Sequence, residues 1–185
     1  MKLAQLLANR LKEVLNVSLT FTALTTLLVI FLYSCNKKIN EESERLRIIS
    51  HNVWYGFTKV PERKKTWITW MNEQQPDIVS LQELNDYTPQ KLAEDAKNYG
   101  HDYSVLLKEE GFPTGITSRY PIDDIIIIKD GFHHGLLRVK IKQIYFYVIH
   151  LHPSNWETRK NEINLIIQNI DELPSGSPVI MAGDF

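Results

Sequence analysis

Pro76-Asp77-Ile78-Val79-Ser80-Leu81-Gln82-Glu83 is the stretch that decides how this chain folds. Pro76 cannot continue a helix, so it closes the one before it. Ile78 to Leu81 is short and apolar and reads as a buried strand. Gln82 and Glu83 follow at its end. A polar group at that point is how an open α/β sheet presents a functional side chain.

The same pattern repeats on both sides. Upstream, Val60 to Gln75 reads as a helix, with Pro61 near its start. Trp67, Trp70 and Met71 share one face at i, i+3, i+4 spacing and are expected in the core. Before it, Leu46 to Ser50 reads as a strand that runs into Ser50-His51-Asn52. Downstream, Pro89 to Asn98 reads as a helix that ends near Gly100. Tyr103–Leu107 and Gly115–Thr117 read as strands. Ile125 to Ile128 is wholly apolar and β-branched, which predicts a strand inside a covered sheet. Leu136–Ile141 and Ile144–His150 predict a hairpin turning at Lys142-Gln143. Glu157 to Leu173 predicts an amphipathic helix, and Val179–Met181 a last buried strand before Gly183-Asp184-Phe185. Helices alternate with strands at both ends of this region, so the fold class is a layered α/β sandwich with its helices outside.

Four polar clusters therefore sit at strand ends, and strands ending on one side would gather them in a cleft. On spacing alone Glu83 reads either as a ligand for a hard cation or as a cap near the next helix. Asn52 reads either as a cation or phosphate contact or as a turn former. His51 falls on the opposite face from Asn52 and reads as structural. His150 and His152 share a parity, so they face one side if their strand continues. An imidazole there suits a phosphate contact or proton transfer. The same pair also admits a zinc site, although no third ligand is evident. Asp184 reads as a group that positions or deprotonates an attacking water, or as a helix cap.

Composition narrows the class. The 185 residues are 43% hydrophobic and 23% charged, the mixture of an ordinary globular domain. A net charge of −1 supplies no overall basic field for nucleic acid, though a local basic groove would suffice. The single cysteine, Cys35, permits no intrachain disulfide. It closes a leader: Lys2, Arg10 and Lys12 precede an uncharged run from Val17 to Tyr33. Leu32-Tyr33-Ser34-Cys35 resembles a bacterial lipobox, which implies lipidation of Cys35 and a membrane-anchored protein in the cell envelope, facing outside the cytoplasm. An uncleaved transmembrane anchor and an ordinary cleaved signal are the alternatives. The organisation expected is residues 1–35 as leader or anchor, 36–45 as a polar tether, and 46–185 as the folded domain.

Five segments, in order, resemble the endonuclease/exonuclease/phosphatase superfamily. They are Ile49-Ser50-His51-Asn52-Val53-Trp54, Pro76 through Glu83, Gly115-Ile116-Thr117-Ser118-Arg119-Tyr120-Pro121-Ile122, His150-Leu151-His152-Pro153, and Met181-Ala182-Gly183-Asp184-Phe185. The resemblance implies a four-layer α/β sandwich and hydrolysis of phosphate esters with Mg²⁺, or Mn²⁺ in its place, by in-line attack of water. It implies that Glu83 and Asn52 hold the metal, and that His150 contacts phosphate, with His152 as the alternative. It gives Asn52 and Asp184 catalytic roles beside His150. Nuclease, phosphodiesterase and phosphatase activities all fit, so nucleic acid is an admissible partner. The asparagine after Phe185 and a later Asp-His pair, both expected from the resemblance, are absent from the sequence. The expectation is a C-terminally truncated chain with little or no turnover of its own. A non-catalytic surface binding protein on the same fold, and a zinc-binding surface protein, are the competing readings.

Overall fold

The computed structural model describes residues 25–26 and 45–185. The chain divides into two units, Met1–Arg45 and Leu46–Phe185, and the second carries the elements that follow. The expected leader with Cys35 and the tether lie outside the described residues, apart from 25–26 and Arg45. Among the described residues, no helix is long and apolar enough to cross a membrane.

The elements are β1 (Ile48–Asn52), α1 (Pro61–Gln74), β2 (Ile78–Gln82), α2 (Pro89–Lys97), β3 (Tyr103–Leu106), β4 (Gly115–Ser118), β5 (Asp123–Ile128), β6 (Leu136–Ile141), β7 (Ile144–His150), α3 (Trp156–Asp171) and β8 (Val179–Asp184). They form two four-stranded sheets, ordered β1-β2-β4-β3 and β5-β6-β7-β8. Each sheet contains one parallel pair. β1 runs beside β2 with Asn52 opposite Gln82, and β7 runs beside β8 with His150 opposite Asp184.

Side-chain alternation sorts the strands into layers. Val79 and Leu81 point to α1 and α2, where they meet Trp67, Met71, Leu92 and Ala96. Tyr145, Tyr147 and Ile149 point to α3 and its Ile166. The alternate residues Ile48, Ile78, Phe146, Val148 and Ile180 meet between the sheets. The order is thus helix, sheet, sheet, helix, the four layers the resemblance implies. Each fully buried aliphatic side chain contributes roughly 1.5–3 kcal/mol. The inner-face parity of Ile48, Val148 and Ile180 carries on to Asn52, His150 and Asp184. Those three side chains emerge at one end of the seam between the sheets.

Local signals explain the element ends. Asn155 caps α3 by accepting from the Thr158 amide, and Thr88 caps α2 by accepting from Lys91. Pro61 and Pro89 occupy first-turn positions, where a missing N–H costs nothing. Lys142 and Gln143 both adopt positive φ, 48° and 67°, the backbone of a two-residue hairpin turn.

Four expectations need correction. Ile125, Ile126 and Ile127 do not lie in a covered sheet; they are 47%, 36% and 43% exposed, because β5 is an edge strand. Trp70 does not join the core with Trp67 and Met71 and is 41% exposed. Strand β7 stops at His150, so the parity that would align His152 with it is lost. The last strand runs on to Asp184, which is its final residue rather than a cap beyond it.

Candidate active site

At the open end of the seam, one amide joins two carboxylates. Asn52 Nδ2 donates to Glu83 Oε1 at 2.9 Å and to Asp184 Oδ2 at 2.7 Å. The orientation of the amide is fixed from behind. Asn52 Oδ1 accepts from the Trp54 backbone N–H at 2.9 Å, so the NH₂ group must face the acids. Glu83 Oε2 accepts from the Tyr55 N–H at 3.0 Å. Glu83 itself sits just past β2 with a φ of 56°, a left-handed conformation that turns its side chain off the strand path.

The chain facing Glu83 is more unusual. Trp54, Tyr55, Gly56 and Phe57 have φ values of 51°, 54°, 59° and 64°. A run of left-handed residues costs roughly 1–2 kcal/mol for each one that is not glycine. The Gly56 N–H bonds the Glu83 carbonyl at 2.6 Å, and the Thr58 and Val60 amides close the turn behind it. The strain holds two backbone donors on Asn52 and Glu83 at fixed positions.

His150 completes the group. Its Nε2 lies 3.8 Å from Asp184 Oδ2. Burial pushes its pKa below the ordinary histidine value, against the opposing pull of Asp184 and Glu83. Its Nδ1 is buried and makes no well-formed hydrogen bond. Packing orients the ring instead: His134 stacks on it at 4.1 Å and 17°, and Phe112 stands edge-on to both rings. His133 and His152 extend the row, with ring separations of 4.3 Å from His134 to His133 and 4.2 Å from His133 to His152. Two rings thus separate His152 from His150. Its Nδ1 accepts from the Ser154 and Asn155 amides, which fixes a loop. The fully buried Glu162 pins both histidine loops by accepting from the His133 and His152 amides at 2.7 Å and 2.9 Å.

The sequence reading missed His134, Phe112, Glu162 and the Trp54–Phe57 turn. The His133-His134 dipeptide was visible, but nothing local tied it to a strand 16 residues further on. His51 falls where its parity put it: its Nδ1 accepts from Trp67 Nε1 at 3.1 Å, on the helix side of the sheet.

His134 makes stability depend on pH. Burial, then the neighbouring His150, holds its pKa down to about 3. An unfolded histidine titrates near ~6.5, so below that pH the unfolded chain takes up a proton that the folded chain refuses. Stability is complete above that value and falls as pH drops. At pH 5 the loss from this residue is about 2 kcal/mol. Thermal unfolding should show a lower midpoint at pH 5 than at pH 7.5, and His134→Phe should flatten part of that slope. A slope unchanged by the substitution would contradict the assignment.

Glu83 and Asp184 offer only hard oxygen ligands, and no Lys or Arg among the described residues is paired with either acid. Asn52, expected as a metal ligand, turns its NH₂ rather than its oxygen towards them, because the oxygen accepts from the Trp54 amide. Two converging carboxylates without a cation suit Mg²⁺ or Mn²⁺, which bind through one or two carboxylates and keep their remaining positions for water and phosphate. No group of three or more His, Cys, Asp or Glu among the described residues is arranged to enclose a metal. His150 and His152, the pair that admitted a zinc site as an alternative, do not converge: the rings of His134 and His133 stand between them.

Comparison with known proteins agrees with this architecture. The model of the Endonuclease/Exonuclease/phosphatase family matches residues 49–185. The chain belongs to that family. Among solved structures, a humanized D. rerio TDP2 carrying 14 mutations matches at 24% identity and a TM-score of 0.59, over 75% of this chain and 61% of that one. An AP endonuclease from Archaeoglobus fulgidus matches at 19% identity and 0.54, over 76% and 57%. The 3′ phosphatase NExo from Neisseria, bound to a product DNA hairpin, matches at 12% and 0.54, over 76% and 58%. These likenesses are of fold. This chain spans about three fifths of the length of the solved structures it matches. No curated protein matches it.

Proposed function

We propose that this protein hydrolyses phosphate esters with a divalent metal, Mg²⁺ or Mn²⁺, through in-line attack of water. The observation that carries the reading is the convergence of Glu83 and Asp184 on one Asn52 amide, beside a buried imidazole. The family generally uses a divalent metal, commonly Mg²⁺. Glu83 would hold that metal, which when bound would stabilise charge on the phosphoryl oxygens; Asn52 would join it only with its amide turned over, since its Oδ1 accepts from the Trp54 amide.

The chain's own groups account for the rest. Asp184 has one oxygen held by Asn52, which leaves the other to accept a proton from water. His150, kept neutral by burial, presents a ring nitrogen to phosphate and gains affinity for a proton as negative charge arrives. Asn52 keeps the acids in register and loses its second acceptor if the metal displaces it. Hydrolysis of bis(p-nitrophenyl) phosphate tests the reading: the turnover, small in this chain, should require Mg²⁺, stop with chelator, and return with Mg²⁺ or Mn²⁺ but not Zn²⁺. Phosphate binding without turnover would instead make the protein a non-catalytic surface binder.

A covalent lipid on Cys35, holding the domain outside the cytoplasm, is part of the same proposal and rests on Leu32-Tyr33-Ser34-Cys35. Cys35→Ser should move the protein from the membrane to the soluble fraction; retention in the membrane would favour an uncleaved anchor.

A further inference from the structure

Strand β5 ends its sheet: β6 stands on one side of it, and among the described residues no strand stands on the other. A free edge carries unpaired N–H and C=O groups, which proteins guard with charge, proline or a bulge. Here the bulge stands only at the start. The register shifts between Asp123 and Ile126, with Asp124 at a φ of 43°. Beyond it Ile126, Ile127 and Ile128 pair regularly with Arg138, Leu137 and Leu136. Leu136 and Leu137, one strand further in, are fully buried, whereas Ile125, Ile126 and Ile127 are exposed. What separates the two sets is a neighbouring strand on the second side.

A neighbour for this edge must be apolar on both faces. Ile128 packs on the α3 side, against the cluster of Tyr147 and Ile166, and Ile127 lies opposite Leu137, which faces the seam between the sheets. A strand of successive apolar residues fits such a position, and one of alternating polarity does not. Residues 125–128 are themselves such a run. A second copy of the chain would also bring its own helix and sheet layers to cover both faces of the added strand, which a lone peptide would leave in water.

Charge then selects one register. In an antiparallel pair of β5 strands about a two-fold axis at Ile126, Ile125 of one copy faces Ile127 of the other, and Asp123 faces Lys129. Asp123 and Lys129 are both exposed. Asp124, which would face Ile128, already pairs with Arg138 of its own chain at 3.3 Å. Slipping by one residue either opposes Asp123 to Asp130 or sets Lys129 against Ile122, and like charges placed opposite destabilise a sheet. We propose that β5 is a self-association edge, at which two copies of this chain pair antiparallel about Ile126 and join their sheets into one.

Oxidative cross-linking tests it, on the full chain with Cys35→Ser so that an introduced thiol is the only one. Residue 126 would meet its own copy across the axis at ~4.5–5.5 Å between Cα atoms, within reach of a disulfide. Ile126→Cys should cross-link into dimers at least ~10-fold faster than Ile167→Cys, at an exposed isoleucine on α3. Sedimentation equilibrium of the unaltered chain in detergent should show dimers. Asp123→Lys should weaken them roughly 3- to 30-fold, and Lys129→Asp added to it should restore them, because both symmetry-related pairs invert together. Ile126→Lys should leave a folded monomer. Equal cross-linking at 126 and 167, a dimer that persists in Ile126→Lys or ignores the charge exchange, or an unaltered chain that is monomeric would each overturn the proposal. So would a monomer that Ile126→Lys releases from phosphatidylglycerol vesicles, which would give this edge to a lipid surface.

Discussion

Gly56→Ala is expected to destabilise the folded unit by about 3 kcal/mol or more and to lower its melting temperature by about 10 °C. Gly56 has a φ of 59°, where a Cβ is already unfavourable. The Cβ would also overlap the backbone carbonyl oxygen of Asn85. A backbone carbonyl cannot rotate aside as a side chain can, so the turn must move. Moving it breaks the bond from the Gly56 amide to the Glu83 carbonyl and loosens the one from the Tyr55 amide to Glu83 Oε2. Each costs about 0.5–3 kcal/mol, the larger figure applying to the charged acceptor. Urea or thermal unfolding measures the effect directly. A variant with unchanged midpoint would mean that the turn is free to rearrange and does not hold Glu83.

Glu83→Gln is expected to reduce Mg²⁺-dependent phosphodiester hydrolysis about 10²- to 10³-fold, with little change in melting temperature. The substitution removes the charge that would hold the cation, and a metal's stabilisation of phosphoryl charge is worth several kcal/mol. Fold is spared because glutamine still offers one oxygen to the Tyr55 amide. It does turn an NH₂ group towards the NH₂ of Asn52, so one hydrogen bond of the cluster is lost. That loss is partly offset by the end of repulsion between Glu83 and Asp184. Full activity in the variant would move the metal, and the chemistry, away from this residue. A variant that failed to fold would show the role of Glu83 to be structural.

How far the sequence carried this reading depended on how local each signal was. Strand and helix positions followed from short periodic runs, and parity along the strand was enough to put His51 and Asn52 on opposite faces. Parity failed where it was carried past the end of an element. His150 and His152 are two apart, but β7 ends between them and Glu162, on α3, draws the second away. The isoleucine run at 125–128 predicted cover because composition reports what a strand could bury, not where it sits in a sheet. β5 is at the edge of its sheet. Trp70 kept its helical spacing yet faces solvent, since the core takes only the Trp67 and Met71 positions of that face. The clamp of His134 and Phe112 on His150 was out of reach for a different reason. It joins three separate loops and strand ends through ring stacking, which leaves no periodic trace in a sequence.

The central claim is that Asn52, Glu83, His150 and Asp184 form one cation-dependent phosphate site. The most direct measurement is a titration of the protein with Mn²⁺ in the presence of inorganic phosphate, followed by electron paramagnetic resonance. The account predicts one bound Mn²⁺, displaced by Mg²⁺, lost in Glu83→Gln and weakened in Asp184→Asn. Mn²⁺ binding of equal strength in both variants, or none in the unaltered protein, would contradict it.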